Sequence, residues 1–267
     1  MIYTNDFSRK FEIDLYNLCE NSPYGARIIS YHTAYHGRKY NFLDFWLQRA
    51  EGNNAVCALC RYYSTLIICG NTCNVKEIEE FIDMISPGNI LCDSILNLNC
   101  NMNISLGETM LCSKLNNIDI ALDSDYRILK LNSDMRSLKS VYSLLVKANV
   151  QSNMLPDFES YFLDISHRIR HGVAKVYVIT DGSGEIVSTA AVSAISGTAA
   201  VIGCVATDSE NRKRGLASFL VKYAAEKELS KGRQVYLHRE RKILLYENIG
   251  FNTVGHWTEY TRKPDLA

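Results

Sequence analysis

The sequence lacks any long apolar stretch and any excess of charge. None of its 267 residues belongs to an apolar run of about eighteen, the length that a membrane-spanning helix needs. The N-terminal residues MIYTNDFSRKFEID also lack the apolar centre of a secretory signal. Lysine plus arginine number 29, as do aspartate plus glutamate, so bulk charge gives no case for nucleic acid or an anionic membrane. We therefore expect a cytoplasmic globular protein with neither of those partners.

Disulfide bonds are a further expected absence, although the chain contains nine cysteines, eight of them before Ser113. An odd number without a secretory signal argues against a disulfide framework. Cys57 and Cys60 have C-x-x-C spacing, but they lie in the apolar string AVCALC, which is typical of a buried strand. We expect small buried thiols and no metal. Zinc binding and redox chemistry are the alternatives.

A basic loop between a predicted strand and a predicted helix is the most informative stretch. It reads VATDSENRKRGLAS. The helix start presents backbone N–H groups that have no intrahelical partner, at the positive end of the helix dipole. Gly215 has no Cβ, so an anion can approach the main chain closely. The residues that we expect to form this binding site are Val205, Ala206, Thr207, Arg212, Lys213, Arg214, Gly215, Leu216, Ala217 and Ser218.

The order of residues in this loop narrows the class of ligand. The loop has neither the Gly-Lys-Ser/Thr of a Walker loop nor the three glycines of a dinucleotide fingerprint. Its Arg-x-x-Gly-x-Ala, from Arg212 to Ala217, resembles the coenzyme A motif of the GNAT superfamily, the acetyl-CoA-dependent N-acyltransferases. The resemblance implies acetyl-CoA or CoA as co-substrate. It also implies that the strand edge at Val205–Thr207 pairs with the pantetheine arm and points an N–H at the thioester oxygen.

A second match lies downstream, in the string LYENIGF. It is similar to the family's Leu-Tyr-x-x-x-Gly-Phe, whose tyrosine is often assigned as the general acid. Carried over to this chain, the resemblance makes Tyr246 the catalytic residue. A phenol with a pKa near 10 can supply a proton to a departing thiolate, whose conjugate acid has a pKa near 8.5. The alternative is a packing tyrosine, since the chain has 16 of them.

The chain departs from the family pattern in two places. Arg239 and Lys242 stand where the family often has Asn-x-x-Ala, so the asparagine contact to the coenzyme is absent and Arg239 could reach a phosphate instead. The strand AAVIGCVAT also lacks the carboxylate that many members use as general base. Glu240 and Glu259 are possible substitutes, although a solvated surface charge is the expected state of both.

Residues 126–267 have the element order expected of a GNAT domain. Apolar periodicity and turn residues predict a strand, two helices, three strands, a helix from Gly215 to Lys231, a strand, a helix from Arg241 and a closing strand. We expect a central mixed sheet flanked by helices, in the α/β (α+β) class.

Residues 1–125 are expected to form a separate α/β domain. Helical spacing predicts a helix from Phe7 to Cys19 and a short amphipathic helix from Phe42 to Ala50. Two strands, a helix from Val75 to Ile85 and a further strand follow, which is GNAT-like order. The loop GNTCNVKE lacks Arg-x-x-Gly-x-Ala. A degenerate GNAT-like half without the coenzyme loop and an unrelated α+β domain are both compatible with this pattern.

These patterns predict an enzyme that transfers an acetyl or other acyl group from acetyl-CoA to an amine by direct attack in a ternary complex. The acceptor is expected to be a small-molecule amine or a peptide N-terminus. The alternative is a non-catalytic CoA-binding regulatory module with a cysteine-rich, partner-binding N-terminal domain. The sequence does not indicate an oligomeric state.

Overall fold

The computed structural model describes residues 1–6, 8–35, 40–70, 72–118, 120–148 and 155–263, so Phe7, the predicted start of the first helix, lies outside them. Strands in these residues are β1 (Ile2–Thr4), β2 (Leu43–Arg49), β3 (Ala55–Tyr62), β4 (Thr65–Cys69), β5 (Asn89–Asp93), β6 (Asn103–Cys112), β7 (Arg127–Lys130), β8 (Lys175–Thr180), β9 (Ile186–Ile195), β10 (Ala199–Thr207), β11 (Gln234–Arg239) and β12 (Asn252–Thr261). Helices are α1 (Arg9–Leu18), α2 (Pro23–Ala34), α3 (Val75–Ile85), α4 (Met135–Lys147), α5 (Phe158–Arg170), α6 (Leu216–Leu229) and α7 (Leu244–Ile249).

The order of elements occurs twice along the chain. β1 to β5 and β7 to β11 both follow the order strand, two helices, three strands, helix, strand. The first series continues through a short 3₁₀ turn (Ser94–Leu96) to β6, and the second through α7 to β12. The predicted α/β class with a mixed sheet and flanking helices is therefore confirmed.

Contacts group the chain into two compact units whose limits differ from a division at residue 125. The first unit contains the described residues of Met1–Met110, His238–Arg241 and Thr253–Ala267, and the second those of Leu111–Leu237 and Lys242–Asn252. The predicted domains 1–125 and 126–267 stay a prediction.

In the first unit, a mixed sheet has helices on both faces. Its strand order is β1-β2-β3-β4-β5-β12-β6, with β4 and β5 parallel and β12 antiparallel to β5. On one face, α1 and α2 place Phe11, Leu15 and Ile28 in an apolar cluster with alternate strand residues. On the other face, α3 contributes Ile78 and Phe81 to a second cluster. Burial of these two apolar clusters stabilises the packing of the helices on the sheet.

The second unit repeats this arrangement. Its strand order is β7-β8-β9-β10-β11, antiparallel except for the parallel pair β10 and β11. Leu138 of α4 and Ile165 of α5 pack with Val176 of β8 in one apolar cluster. The neighbouring residue Tyr177 meets Tyr223 of α6 at a ring distance of 5.3 Å on the opposite face.

The predicted helix from Phe42 to Ala50 is wrong, because these residues form β2. Leu43, Phe45 and Leu47 point to the cluster beneath α1 and α2, whereas Trp46 packs on Phe81 of α3. Since both faces of β2 are covered, its apolar residues do not alternate cleanly with polar ones. A short run of closely spaced apolar residues of this kind is hard to distinguish from the apolar face of a short helix.

Candidate functional site

The strand before the basic loop, β10, leaves regular pairing near its end. It pairs in parallel with β11 from Ala199 to Ile202 and antiparallel with β9 on its other side. The register with β9 shifts between Gly203 and Ala206, and Cys204 has a left-handed φ of 52°. This is a β-bulge, a feature that redirects backbone groups next to functional sites.

The three predicted residues at the end of β10 have different surroundings. Val205 is half-buried, whereas Ala206 is buried and its carbonyl accepts a hydrogen bond from Ser188 Oγ at 3.1 Å. Thr207 Oγ1 lies 2.9 Å from the same Ser188 hydroxyl, and its carbonyl accepts from Arg212 Nε at 3.3 Å. These bonds fix the bulge to β9 and to the basic loop.

The start of α6 has no side-chain cap. Gly215 is the N-cap with φ 78°, a left-handed conformation that costs a side chain about 1–2 kcal/mol. The first intrahelical bond runs from Phe219 N–H to the Gly215 carbonyl. In the described residues, no acceptor faces the N–H groups of Leu216, Ala217 and Ser218. These three donors therefore form the free N-terminus that the sequence predicts.

Three exposed cationic residues, Arg212, Lys213 and Arg214, directly precede the N-cap of α6. Arg214 Nη1 donates to Tyr126 Oη at 2.9 Å, and that hydroxyl donates to Asn211 Oδ1 at 3.0 Å. In the described part of the chain, none of Arg212, Lys213 and Arg214 forms a salt bridge with a carboxylate. Cations at the positive end of a helix dipole are unfavourable unless an anion joins them. The arrangement has the electrostatics of an anion site.

The corresponding helix of the first unit, α3, has a closed N-terminus. Asn74 caps it by accepting from the Glu77 N–H at 3.2 Å, and Gln48 Nε2 donates to the Asn74 carbonyl at 3.0 Å. The Glu77 carboxylate lies 2.9 Å from the N-terminal ammonium of Met1. A side chain of the first unit thus accepts a hydrogen bond from an N–H group at the start of α3, and the Glu77 carboxylate in the first turn interacts favourably with the helix dipole. This contrast favours a first half that has no coenzyme loop.

The asparagine-rich segment that precedes β7 contacts both the basic loop and α7, which the sequence did not indicate. The Asn116 N–H donates to the Ile249 carbonyl at 2.9 Å, and its Nδ2 donates to the carbonyls of Glu247 and Asn248. Further along, Ile120 Cγ2 lies 3.9 Å from the position that a Cβ on Gly215 would take. The segment therefore joins the end of α7 to the start of α6. No helical or strand period marks it, so only its asparagines could have indicated capping roles.

Tyr246, the predicted catalytic residue, lies half-buried in the short helix α7. Its ring meets Phe251 edge-on at 6.3 Å, and its carbonyl accepts from the Phe251 N–H at 3.0 Å. Gly250 ends the helix with φ 123°, and a Cβ there would lie 2.5 Å from the Lys114 carbonyl. The glycine of the second motif is thus required by close backbone approach. α7 begins at Leu244, three residues later than the sequence predicts.

Two other candidate residues have surroundings that the sequence did not anticipate. Arg239 is buried and its Nε donates to the Glu108 carboxylate, so its charge already has an anionic neighbour. Glu259 is buried as well, which raises the pKa of its carboxyl, so the expected solvated state is wrong. Glu240 is exposed, as expected.

The cysteines are free thiols. Cys57 and Cys60 lie three residues apart on β3 and point to opposite faces, one into each apolar cluster of the first unit. Such a pair cannot ligate one zinc ion from a single strand. Burial raises the pKa of the Cys60 thiol well above its usual value, which keeps it protonated. The described residues contain no cluster of three or more potential metal ligands.

Known proteins with similar sequences or structures include GNAT proteins, as the repeated order of strands and helices predicts. The sequence model for "Acetyltransferase (GNAT) domain" matches residues 172–253. A tandem GNAT protein from the clavulanic acid biosynthesis pathway has 12% identity and a TM-score of 0.62, with 100% of this chain and 99% of that chain covered. No curated protein sequence matches significantly.

Two further solved structures share the fold over nearly the whole chain. A Drosophila protein has 12% identity and a TM-score of 0.63, covering 97% of this chain and 98% of its own. A GNAT-family acetyltransferase from Colwellia psychrerythraea has 12% identity and a TM-score of 0.57, with 98% and 100% covered. At these identities the likeness establishes a fold of two GNAT-like halves. Separately, no helix in the described residues has the length and apolarity to cross a bilayer.

Proposed function

We propose that the protein moves an acetyl group from acetyl-CoA to an amine, because the sequence model for an acetyltransferase (GNAT) domain matches residues 172–253 and the chain shares the fold of a tandem GNAT protein. The observation that carries the proposal is the free N-terminus of α6. It combines three N–H donors without acceptors in the described chain with the charges of Arg212, Lys213 and Arg214. Of these two helix starts in the described residues, that of α6 offers free donors to a diphosphate, whereas the donors at the start of α3 are already satisfied by Asn74 and its neighbours.

In the proposed complex, the N–H groups of Leu216, Ala217 and Ser218 bind diphosphate oxygens. Arg212 and Arg214 add charge-assisted hydrogen bonds, which are about twice as strong as neutral ones. To accept a phosphate, Arg214 exchanges or shares its bond with Tyr126 Oη. The bulge at Gly203–Thr207 directs the pantetheine arm along the end of β10.

Acetyl-CoA supplies the activated thioester, and the chain supplies orientation and polarisation. A backbone N–H near Val205 stabilises negative charge that develops on the thioester oxygen as the amine attacks. Tyr246 donates a hydrogen bond to the sulfur as the C–S bond breaks and then a proton to the thiolate, and the proton that the attacking nitrogen loses restores the phenol through solvent. Cys204 lies within the bulge, and the proposed transfer is direct, without an acyl-cysteine.

A non-catalytic CoA-binding module is the second candidate function. The buried pair of Arg239 and Glu108 favours it, because Arg239 stands where many relatives place a coenzyme-binding asparagine and its charge is already engaged. β10 also carries no carboxylate to serve as a base. Both candidates require CoA binding, and they differ only in turnover.

Two measurements separate these functions. Calorimetry of the purified protein with CoA tests the site, and we expect one CoA per chain. Release of free thiol from acetyl-CoA is then followed with a panel of small amines, polyamines, aminoglycosides and peptide N-termini. Transfer to any amine, confirmed by mass spectrometry of the product, supports the enzyme. CoA binding without transfer to any of these amines supports the binding module, and absence of CoA binding refutes both.

A further inference from the structure

The C-terminal end of α7 is bound by one residue from a distant part of the chain. Asn116 Nδ2 donates to the Glu247 carbonyl at 3.2 Å and to the Asn248 carbonyl at 3.0 Å. The main-chain N–H of Asn116 donates to the Ile249 carbonyl at 2.9 Å. The last carbonyls of a helix have no partner within the helix itself. Asn116 thus supplies donors to three consecutive carbonyls at the end of α7.

Helix α7 depends on such tertiary contacts because it is short. It has six residues, and a helix of that length is not stable alone in water. Its N-cap is Ile243, whose apolar side chain provides no cap. Burial of Ile249 anchors the helix, but apolar packing is not directional. Hydrogen bonds are directional, so the bonds from Asn116 restrict the rotation of α7 about that anchor.

Asn116 is itself connected to α6. Its carbonyl accepts a hydrogen bond from the Ile118 N–H at 2.9 Å, which fixes the chain on its C-terminal side. The Ile118 carbonyl in turn accepts from Lys222 Nζ of α6. These bonds give α7 a defined position relative to the helix whose N-terminus is the proposed diphosphate site.

The orientation of α7 determines where the Tyr246 hydroxyl lies. Tyr246 directly precedes Glu247, the first residue whose carbonyl Asn116 binds. A helical side chain leaves its backbone in a fixed direction, so a rotation of α7 moves the phenol with it. A displacement of about 1 Å between reacting groups can lower a rate about a hundredfold. Small changes at the end of α7 therefore matter if Tyr246 acts on the thioester.

We propose that Asn116 is a positioning residue for Tyr246, whose hydroxyl it directs to the coenzyme sulfur by holding the carbonyls of α7. This inference rests on the proposed acetyl transfer and gives a role to a residue outside both sequence motifs. Asn116 acts through α7 and touches neither the coenzyme nor the amine. Its amide is needed as a donor, because a carboxylate of the same shape can only accept and would face the negative end of the helix dipole.

Two variants test this role. Asn116→Asp keeps the shape and replaces the donor, and Asn116→Ala removes the side chain. Because Asn116 is exposed, both variants should fold. Thiol release from acetyl-CoA is followed with the most reactive amine of the panel, or with water where no amine reacts. We expect kcat to fall about ten- to a hundredfold in Asn116→Asp and less in Asn116→Ala. The Kd for CoA, measured by calorimetry, should stay constant.

A double-mutant cycle with Tyr246→Phe separates positioning from a merely structural role. If Asn116 acts through the Tyr246 hydroxyl, Asn116→Asp should have little further effect on kcat once that hydroxyl is absent. A general disturbance of the fold would instead lower kcat by the same factor in both backgrounds. Asn74→Ala is the matched control, because it removes an asparagine from the end of a helix in the first unit. It should leave kcat unchanged in both backgrounds.

Several results would overturn the proposal while the native protein still transfers acetyl groups. They are native kcat in Asn116→Asp, an equal loss with and without the Tyr246 hydroxyl, native kcat in Tyr246→Phe alone, and a loss of CoA affinity in place of kcat. In each of these cases the proposed function stands and the role of Asn116 fails. Absence of thiol release by the native protein, with every amine and with water, would refute the transfer itself and this role with it. The two failures are therefore distinguishable.

Discussion

Replacement of Gly215 by glutamate places a carboxylate at the start of α6, where the proposal puts the CoA diphosphate. The structure leaves room for the side chain, since the nearest atom to a Cβ is Ile120 Cγ2 at 3.9 Å. The left-handed φ of 78° costs the variant about 1–2 kcal/mol of folding stability. The favourable interaction of the new carboxylate with the helix dipole offsets about 0.3–1 kcal/mol of this destabilisation. The fold should therefore survive.

Binding should respond much more strongly than folding. At about 5 Å and an effective dielectric constant of about 40–80, each carboxylate–phosphate charge pair costs about 1–2 kcal/mol. With two diphosphate charges, the binding free energy for CoA becomes less favourable by about 2–3 kcal/mol, which raises the Kd roughly 30- to 150-fold. Calorimetry at low ionic strength measures this loss directly.

Two matched variants isolate the charge. Gly215→Gln has the same size and backbone strain without the charge, so its CoA affinity should lie between those of the native protein and Gly215→Glu. Gly232→Glu adds the same carboxylate beyond the other end of α6, at a glycine with φ 77° and no atom within 4 Å of its Cβ position. It should leave CoA affinity nearly unchanged. Equal affinity of native protein and Gly215→Glu would refute the assignment of the diphosphate to this loop.

Three other predictions follow from the same contacts. Tyr246→Phe should lower turnover by about two to four orders of magnitude while CoA affinity stays constant; wild-type turnover where chemistry limits the rate would return Tyr246 to packing against Phe251. CoA affinity should fall as salt rises from low ionic strength to about 1 M, because Arg212, Lys213 and Arg214 are exposed; a flat profile would contradict a charged anchor. Asn74→Ala should cost about 0.5–2 kcal/mol in denaturant unfolding through loss of the α3 cap, without altering CoA affinity; a loss of CoA affinity would place the coenzyme in the first unit instead.

The strand–loop–helix around Gly215 could be predicted because its cause is local. A left-handed glycine, a helix start and three basic residues are adjacent in the sequence, and no tertiary contact is needed to recognise them. The same holds for Gly250, which ends α7. The bulge at Cys204 could not be predicted, because it depends on where pairing with β9 shifts register.

Buried polar contacts were not predictable for a related reason. Glu259 was expected on the surface because charged residues are rarely buried, and only the packing of β12 within the first unit covers it. Asn116 lies in a segment without a periodic signal, and Tyr126 was predicted only as the start of a strand, yet their side chains contact the end of α7 and the loop before α6. In each case the contacting residue is distant in the sequence, so the contact cannot be predicted from the residues that flank either partner.

The place of β12 in the first unit has a consequence for synthesis of the chain. The Leu98 N–H donates to Tyr260 Oη across 162 residues, and β12 pairs with β5 from Trp257 to Thr261. At about 5–20 residues per second, a ribosome needs roughly 8–32 s to make that intervening length. Through that interval the open edge of β5 and two unfinished apolar clusters are exposed to other nascent chains and to chaperones. Pairing over such a separation also slows the final folding step, so the first residues to leave the ribosome are among the last to reach their native packing.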